Sequence, residues 1–316
     1  MNRFHLPKEV EIVEVGPRDG LQIESRFIPT EEKIKMTDDL SDCGFKAIQV
    51  TSVAHPKAVP QLADAEEVMA KIKRRPGTVY NVLVPNYRGA ERAVNMNADE
   101  WELMLSVSDS HSISNANKTT KEALKEHEKV ARLAQENGVI ARGGMATALG
   151  CPFEGRMPID KLFYVIEAYE SMGIRYITVA DTIGVADPKH VYETMVQVQE
   201  KFPDMKYNLH LHNTRGMALA NIYAALQAGV TSFDTAIGGL GGCPYVPNAT
   251  GNVATEDVVH MLELMGIETG LTFDQLIENA SFAEQLVGHP LESAVYKAGH
   301  SNKLHDAPKK QVKQAD

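Results

Sequence analysis

Eight times in its first 265 residues this chain follows a short β-branched run with a longer amphipathic one. That alternation restricts the possible folds more than any other feature. The first run, EIVEVGP, ends at Pro17, and a helix over 30–43 follows with Thr30 as its N-cap. AIQVTS (47–52) precedes a helix over 61–74, and TVYNVLVP (78–85) one over 87–95. WELMLSVSD (101–109) leads to a long helix over 118–137 that stops at Gly138. VIARGGMATAL (139–149), IRYITVADT (174–182), KYNLHLH (206–212) and TSFDTAIGG (231–239) lead into helices over 158–172, 188–201, 217–228 and 254–265. Strands that alternate with helices make a parallel sheet, and eight such units over about 250 residues close into a (β/α)8 barrel. The competing α/β architecture, an open doubly wound sheet, carries a GxGxxG turn after its first strand; here that turn reads GPRDGLQ. The expectation is a single barrel domain over residues 1–298, with one or two extra C-terminal helices within 272–298, and a disordered tail over 299–316.

Composition removes several function classes. A net charge of −10 over 316 residues argues against a nucleic-acid binder, which would show a basic stripe. No apolar run approaches the roughly 20 residues needed to cross a bilayer. The N-terminal MNRFHLPKEVEIVEV has neither a secretory apolar core nor transit-peptide character. Cys43, Cys151 and Cys243 are too few for a disulfide framework, so a reducing, cytoplasmic setting is expected.

A barrel of this kind places its active site at the C-terminal strand ends. Those ends offer Arg18 and Asp19 after the first strand, Gln49 on the second, Asp181 on the sixth, and His210 and His212 on the seventh. The eighth leads into a glycine-rich loop holding Cys243. Residues two apart on a strand share a face, so both imidazoles of His210-Leu211-His212 can face the barrel mouth. Two histidines and a carboxylate suit a divalent metal with positions open for substrate, and Asp19 is the expected carboxylate. An isolated HxH also arises by chance; the strand-end placement is what favours the metal. The loop GGLGGCPYVPNATGN (238–252) suits a lid, and a thiol in it can exchange a proton with substrate. Cys43 reads as a buried structural thiol, and Cys151 lies near the rim with no partner evident. Asp181 can pair with Arg18 or orient a metal ligand, and Glu14 can play a similar supporting part. Glu256 belongs in the first turn of the last barrel helix, where the macrodipole favours it. His55, His111 and the C-terminal histidines are expected at the surface.

Together these residues give a resemblance. VEVGPRDGLQ (13–22), TSVAHPKAVPQLAD (51–64), ALGCPFEG (148–155), ADTIGVADP (180–188), LHLHNTRGMALAN (209–221) and GGLGGCPYVPNATGNVATED (238–257) are similar to segments of the 3-hydroxy-3-methylglutaryl-CoA lyases. That family belongs to the metal-dependent lyase barrels, with isopropylmalate and homocitrate synthases, and GLGGCPY is not expected of the condensing synthases. The resemblance covers roughly residues 8 to 298. It implies cleavage of an acyl-CoA, 3-hydroxy-3-methylglutaryl-CoA, to acetyl-CoA and acetoacetate, chemistry of leucine degradation and ketone-body formation. It implies Mg²⁺ or Mn²⁺ held by Asp19, His210, His212 and Asn252, catalytic roles for Arg18, Cys243 and Asp181, and a homodimer. The base is Asp19 or His210. The sequence departs from the family at Ile23, at SDSHSISNANKT (108–119) and at Gln49, which stands where the family carries glutamate. An amide there lacks the negative charge. If it is merely a weakened version, Gln49→Glu raises lyase turnover. Cleavage of another 3-hydroxy-3-carboxymethyl acyl-CoA, such as a citramalyl or longer-chain thioester, and a non-catalytic barrel are the rival readings.

Overall fold

All eight predicted runs become strands: β1 Glu11–Glu14, β2 Ala47–Ser52, β3 Val79–Leu83, β4 Glu100–Ser106, β5 Ile140–Ala146, β6 Tyr176–Asp181, β7 Lys206–Leu211 and β8 Ser232–Thr235. The computed structural model describes residues 6–242 and 250–304. Every strand pairs in parallel with its neighbours in chain order, and β8 returns to β1 to close the barrel. The helices are α1 Thr30–Asp42, α2 Ala65–Lys71, α3 Tyr87–Ala93, α4 Asp109–Ala116, α5 Thr120–Glu136 and α6 Ile159–Ser171. They continue with α7 Pro188–Lys201, α8 Ala218–Gln227, α9 Thr255–Leu264, α10 Phe273–Val287 and α11 Ala294–Ala298. The last two are the extra C-terminal helices. No described helix is long and apolar enough to cross a membrane.

Alternation along each strand divides its side chains between two environments. Trp101, Leu103 and Leu105 of β4 are buried among the surrounding apolar side chains. Glu100 and Glu102 take the opposite face, where Glu102 meets Gln49 of β2, with β3 lying between their strands. Such a contact can only cross the lumen. The barrel interior is therefore polar, and the apolar core lies between strands and helices.

Several boundaries differ from expectation, each for a local reason. β1 stops at Glu14, because Gly16–Gly20 coils into a π-helical turn in which the amides of Arg18, Asp19 and Gly20 all converge on the Val15 carbonyl. Pro29, not Thr30, occupies the cap of α1; the Thr30 hydroxyl instead donates to Asp64 Oδ2 at 2.7 Å. The helix expected over 61–74 is a 3₁₀ turn, Pro60–Leu62, followed by α2. α4 has no apolar periodicity to announce it. Ser108 caps it by accepting from the His111 amide, and Asn117 ends it in the left-handed region at φ 52°. Its consequence is that His111, expected at the surface, is buried, with Nδ1 2.7 Å from Ser106 Oγ. α5 then begins with a capping box between Thr119 and Glu122 and ends before Gly138, at φ 69°, as expected.

Two buried carboxylates hold the segment after β8, one from β1 and one from α9. Glu14 accepts from the amides of Gly16 (2.7 Å) and Ile237 (2.9 Å) and from Thr255 Oγ1 (2.7 Å). Glu256, in the first turn of α9 as expected, is fully buried and accepts from the Gly238 amide at 2.9 and 3.1 Å. Burial pushes Glu14 up to about 7 and Glu256 up to about 8. A carboxyl that holds its proton more tightly when folded stabilises the fold below that raised value and loses this contribution as pH rises through it. Stability therefore falls between roughly pH 5 and pH 8, by up to about 1.4 kcal/mol per pH unit for each group. Glu256→Gln, which cannot ionise, is expected to flatten that decline in thermal unfolding. A variant as pH-dependent as the parent would show that Glu256 is already ionised.

Candidate active site

The π-helical turn after β1 directs Asp19 into the mouth of the barrel. Its Oδ1 accepts from Arg18 Nη1 and from Gln22 Nε2 (2.7 Å), and its Oδ2 accepts from Asn252 Nδ2 (2.7 Å). The same Oδ2 lies 3.8 Å from His210 Nε2 and 3.7 Å from His212 Nε2, and the two ring nitrogens stand 3.1 Å apart. All three side chains are buried. His210 ends the inward face of β7. His212 lies one residue past the strand, in a bridge to Asn252 that returns the chain after the glycine-rich loop. Glycines make that crossing possible. A Cβ on Gly251, at φ +82°, would stand 2.4 Å from the Gly241 carbonyl oxygen, and one on Gly241 would stand 2.5 Å from Asn252 Nδ2.

Electrostatics separate the members of this group. Burial alone would raise the Asp19 carboxyl, but the Arg18 guanidinium and both imidazoles outweigh it and hold Asp19 well below the usual carboxylate range. Burial likewise opposes protonation of His210, yet Asp234 and Asp19 raise it; His212, where burial dominates, is lowered. Asp234 Oδ2 lies 3.0 Å from His210 Nδ1, which commits Nδ1–H to the carboxylate and leaves the Nε2 lone pair free to coordinate. One carboxylate oxygen and two imidazole nitrogens within 4.8 Å of one another fit a divalent cation. The buried Oδ1 of Asn252, which has no hydrogen-bond partner, is a fourth donor of suitable type.

The other expected residues sort out differently. Arg18 Nε donates to Gln49 Oε1, so Arg18 is held by Asp19 and Gln49. It does not pair with Asp181. Asp181 instead accepts from the amides of Val185 (3.0 Å) and Ala186 (2.9 Å), fixing the turn after β6, and its charge reaches His212 only through space. Cys243 lies outside the described residues. Cys151 does have a partner: its thiol donates to Ser108 Oγ at 2.9 Å in a buried setting. Cys43 is buried as expected, and burial pushes its thiol up to about 12, which makes it unreactive.

Sequence reasoning missed Asp234, Asn208, Asn81 and Glu102. Asn208 Nδ2 donates to Asp234 Oδ1 at 2.6 Å, so a hydrogen-bonded line runs from β7 through β8 to His210. Alternation could have found Asp234, since it shares a strand face with Ser232 just as His210 does with Asn208.

Comparison with known proteins agrees with this geometry. A family model described as HMGL-like matches residues 9–283. A hydroxymethylglutaryl-CoA lyase of Bacillus subtilis is 44% identical over 91% of this chain and 96% of its own length. The mitochondrial hydroxymethylglutaryl-CoA lyase of Homo sapiens is 41% identical over 93% of this chain and 90% of its own. Among solved structures, an HMG-CoA lyase of Acinetobacter baumannii in complex with coenzyme A and 3-methylmalate superposes with a TM-score of 0.92. It is 41% identical, over 98% of this chain and 100% of that one. The carboxyl transferase domain of Rhizobium etli pyruvate carboxylase, at 16% identity and a TM-score of 0.71, shares the fold alone. With the family model spanning most of the barrel and relatives of this identity aligned nearly end to end, the chain belongs to the HMGL-like family.

Proposed function

We propose that this chain is a hydroxymethylglutaryl-CoA lyase, an enzyme that cleaves 3-hydroxy-3-methylglutaryl-CoA to acetyl-CoA and acetoacetate. The observation that carries the reading is the buried Asp19–His210–His212 group beside Arg18, at the catalytic end of a barrel 41–44% identical to such lyases. The bond between C2 and C3 breaks. The C3 hydroxyl loses its proton and becomes the ketone of acetoacetate, the bonding pair passes to C2 as a thioester enolate, and C2 is protonated to the methyl of acetyl-CoA.

Asp19, His210, His212 and Asn252 would hold the cation, and Mg²⁺ or Mn²⁺ suits their oxygen and nitrogen donors. When bound there, a divalent ion supplies Lewis-acid charge that lowers the pKa of a neighbouring hydroxyl. Asp19 receives the hydroxyl proton, since the Nε2 lone pair of His210, 3.8 Å from Asp19 Oδ2, would serve the cation and its Nδ1–H serves Asp234. Arg18 has five N–H donors, of which its bonds to Asp19 and Gln49 use two. Its fixed guanidinium stabilises the enolate oxygen, a contribution typically worth about 3–4 kcal/mol. Cys243 delivers the proton to C2. In support of that role, its loop leaves the site at Leu240, whose carbonyl accepts from Asn252 Nδ2 at 3.0 Å, and returns at Asn252 itself. A cytoplasmic setting and a homodimer belong to the same proposal. Gln49 favours one second reading, a related lyase for another 3-hydroxy-3-carboxymethyl acyl-CoA, which a coupled assay across such thioesters separates from the first.

Steady-state acetyl-CoA formation from 3-hydroxy-3-methylglutaryl-CoA is expected to vanish with a chelator and return with Mg²⁺ or Mn²⁺. Turnover indifferent to chelation would remove the metal from the mechanism. His212→Ala should weaken metal binding in a direct titration, and Asp234→Asn should do so by about 10- to 100-fold through the freed His210 ring. Cys243→Ser should cut turnover strongly while leaving the thermal midpoint nearly unchanged; full activity in that variant would exclude the thiol as proton donor.

A further inference from the structure

Beneath the cation-binding group the lumen holds a carboxylate for which the reaction above has no role. Glu102, on β4, is 3% exposed, and its Oε2 accepts a hydrogen bond from Gln49 Nε2. The same amide nitrogen donates to Asn81 Oδ1 at 3.0 Å, while Gln49 Oε1 accepts from Arg18 Nε. A guanidinium has no acceptor, so the amide oxygen must face Arg18 and the amide nitrogen must face Glu102. Gln49 therefore has one permitted orientation. Space for the carboxylate comes from β5, where a Cβ on Gly144 would lie 3.3 Å from Glu102 Oε1 and 2.6 Å from Met104 Cε.

We propose that Glu102 is a positioning residue for Arg18, acting through Gln49. Carboxylate, amide and guanidinium form one ordered relay across the lumen, and the relay aims the guanidinium at the place where enolate charge develops. The inference rests on the lyase reading above. It also makes a loss of turnover the outcome for Gln49→Glu, whereas sequence reasoning led to a gain only if the amide were a weakened version of the family glutamate. A glutamate at 49 would set two carboxylates within hydrogen-bonding distance in a buried space, where like charges repel and one must take up a proton. Exchanging the two groups removes the conflict. In Gln49→Glu/Glu102→Gln the carboxylate faces Arg18 and the amide behind it can donate to that carboxylate.

The test compares kcat, KM and thermal midpoint in the metal-loaded enzyme for the parent, Gln49→Glu, Glu102→Gln, Glu102→Leu and the double exchange. Gln49→Glu is expected to lose about tenfold or more in kcat with little change in KM, because Arg18 acts where charge develops. The double exchange should recover most of that loss. Glu102→Gln keeps an acceptor for the Gln49 amide and should lose less than Glu102→Leu. Gln49→Glu at or above parental kcat would overturn the proposal. So would a double exchange no more active than the single variant, or one that recovers its thermal midpoint but not its kcat, which would make the contact merely structural. A parent enzyme without turnover of 3-hydroxy-3-methylglutaryl-CoA defeats the lyase reading itself, and that result is seen before any variant is made.

Discussion

The site depends on the closure of β1 against β8. Four residues of β1 pair in register with four of β8, and the Val15 amide continues the ladder to the Thr235 carbonyl at 2.8 Å. Without that seam the turn bearing Asp19 would have no fixed relation to a histidine pair almost two hundred residues later in the chain. Glu14 reinforces it by accepting from the Ile237 amide after β8, and Glu256 holds the next amide, Gly238, from α9. Since loops are the more mobile parts of a fold, such clamping is what allows a coordination group to be shared between two of them.

A lumen lined with polar side chains costs desolvation unless each group finds a partner. Here the partners form lines rather than isolated pairs. Ser232, Asn208 and Asp234 lead to His210, while Glu102 and Gln49 lead to Arg18. Lower in the barrel Arg142 lies over the Tyr176 ring and pairs with Glu100 at 2.9 Å. The barrels of this architecture are typically filled with branched aliphatic residues. In this one, orientation of His210 and Arg18 is maintained by hydrogen-bond geometry, which is directional, rather than by aliphatic packing, which is not.

The architecture was legible because its signal repeats: eight strand-helix units leave few alternatives once counted. His210, His212 and Asp19 were legible because barrel strands carry chemistry at one end. Asn252 was reachable only through resemblance, since a bridge from a loop back to β7 leaves no periodic trace. α4 escaped because its stability comes from the Ser108 cap rather than from an apolar stripe, and His111 was misplaced with it. For Asp181 the sequence left open a pairing with Arg18 and the orienting of a metal ligand; two nearby backbone amides satisfy it instead of Arg18. Glu102 was hidden most thoroughly. On an isolated strand a glutamate between Trp101 and Leu103 reads as solvent-facing, and only the closed barrel turns that outer-looking face into a lumen.

Gly144 is more than an absence of side chain. The volume it relinquishes is already occupied by Glu102 and Met104, so positions 102, 104 and 144 share one fixed quantity of space. A bulky residue at 144 would displace the Met104 thioether, crowd the carboxylate at 102, and leave the Gln49 amide with Asn81 as its remaining acceptor. Inherited change at these positions should accordingly come in sets: lineages that refill 144 would be those that have also given up the acid at 102.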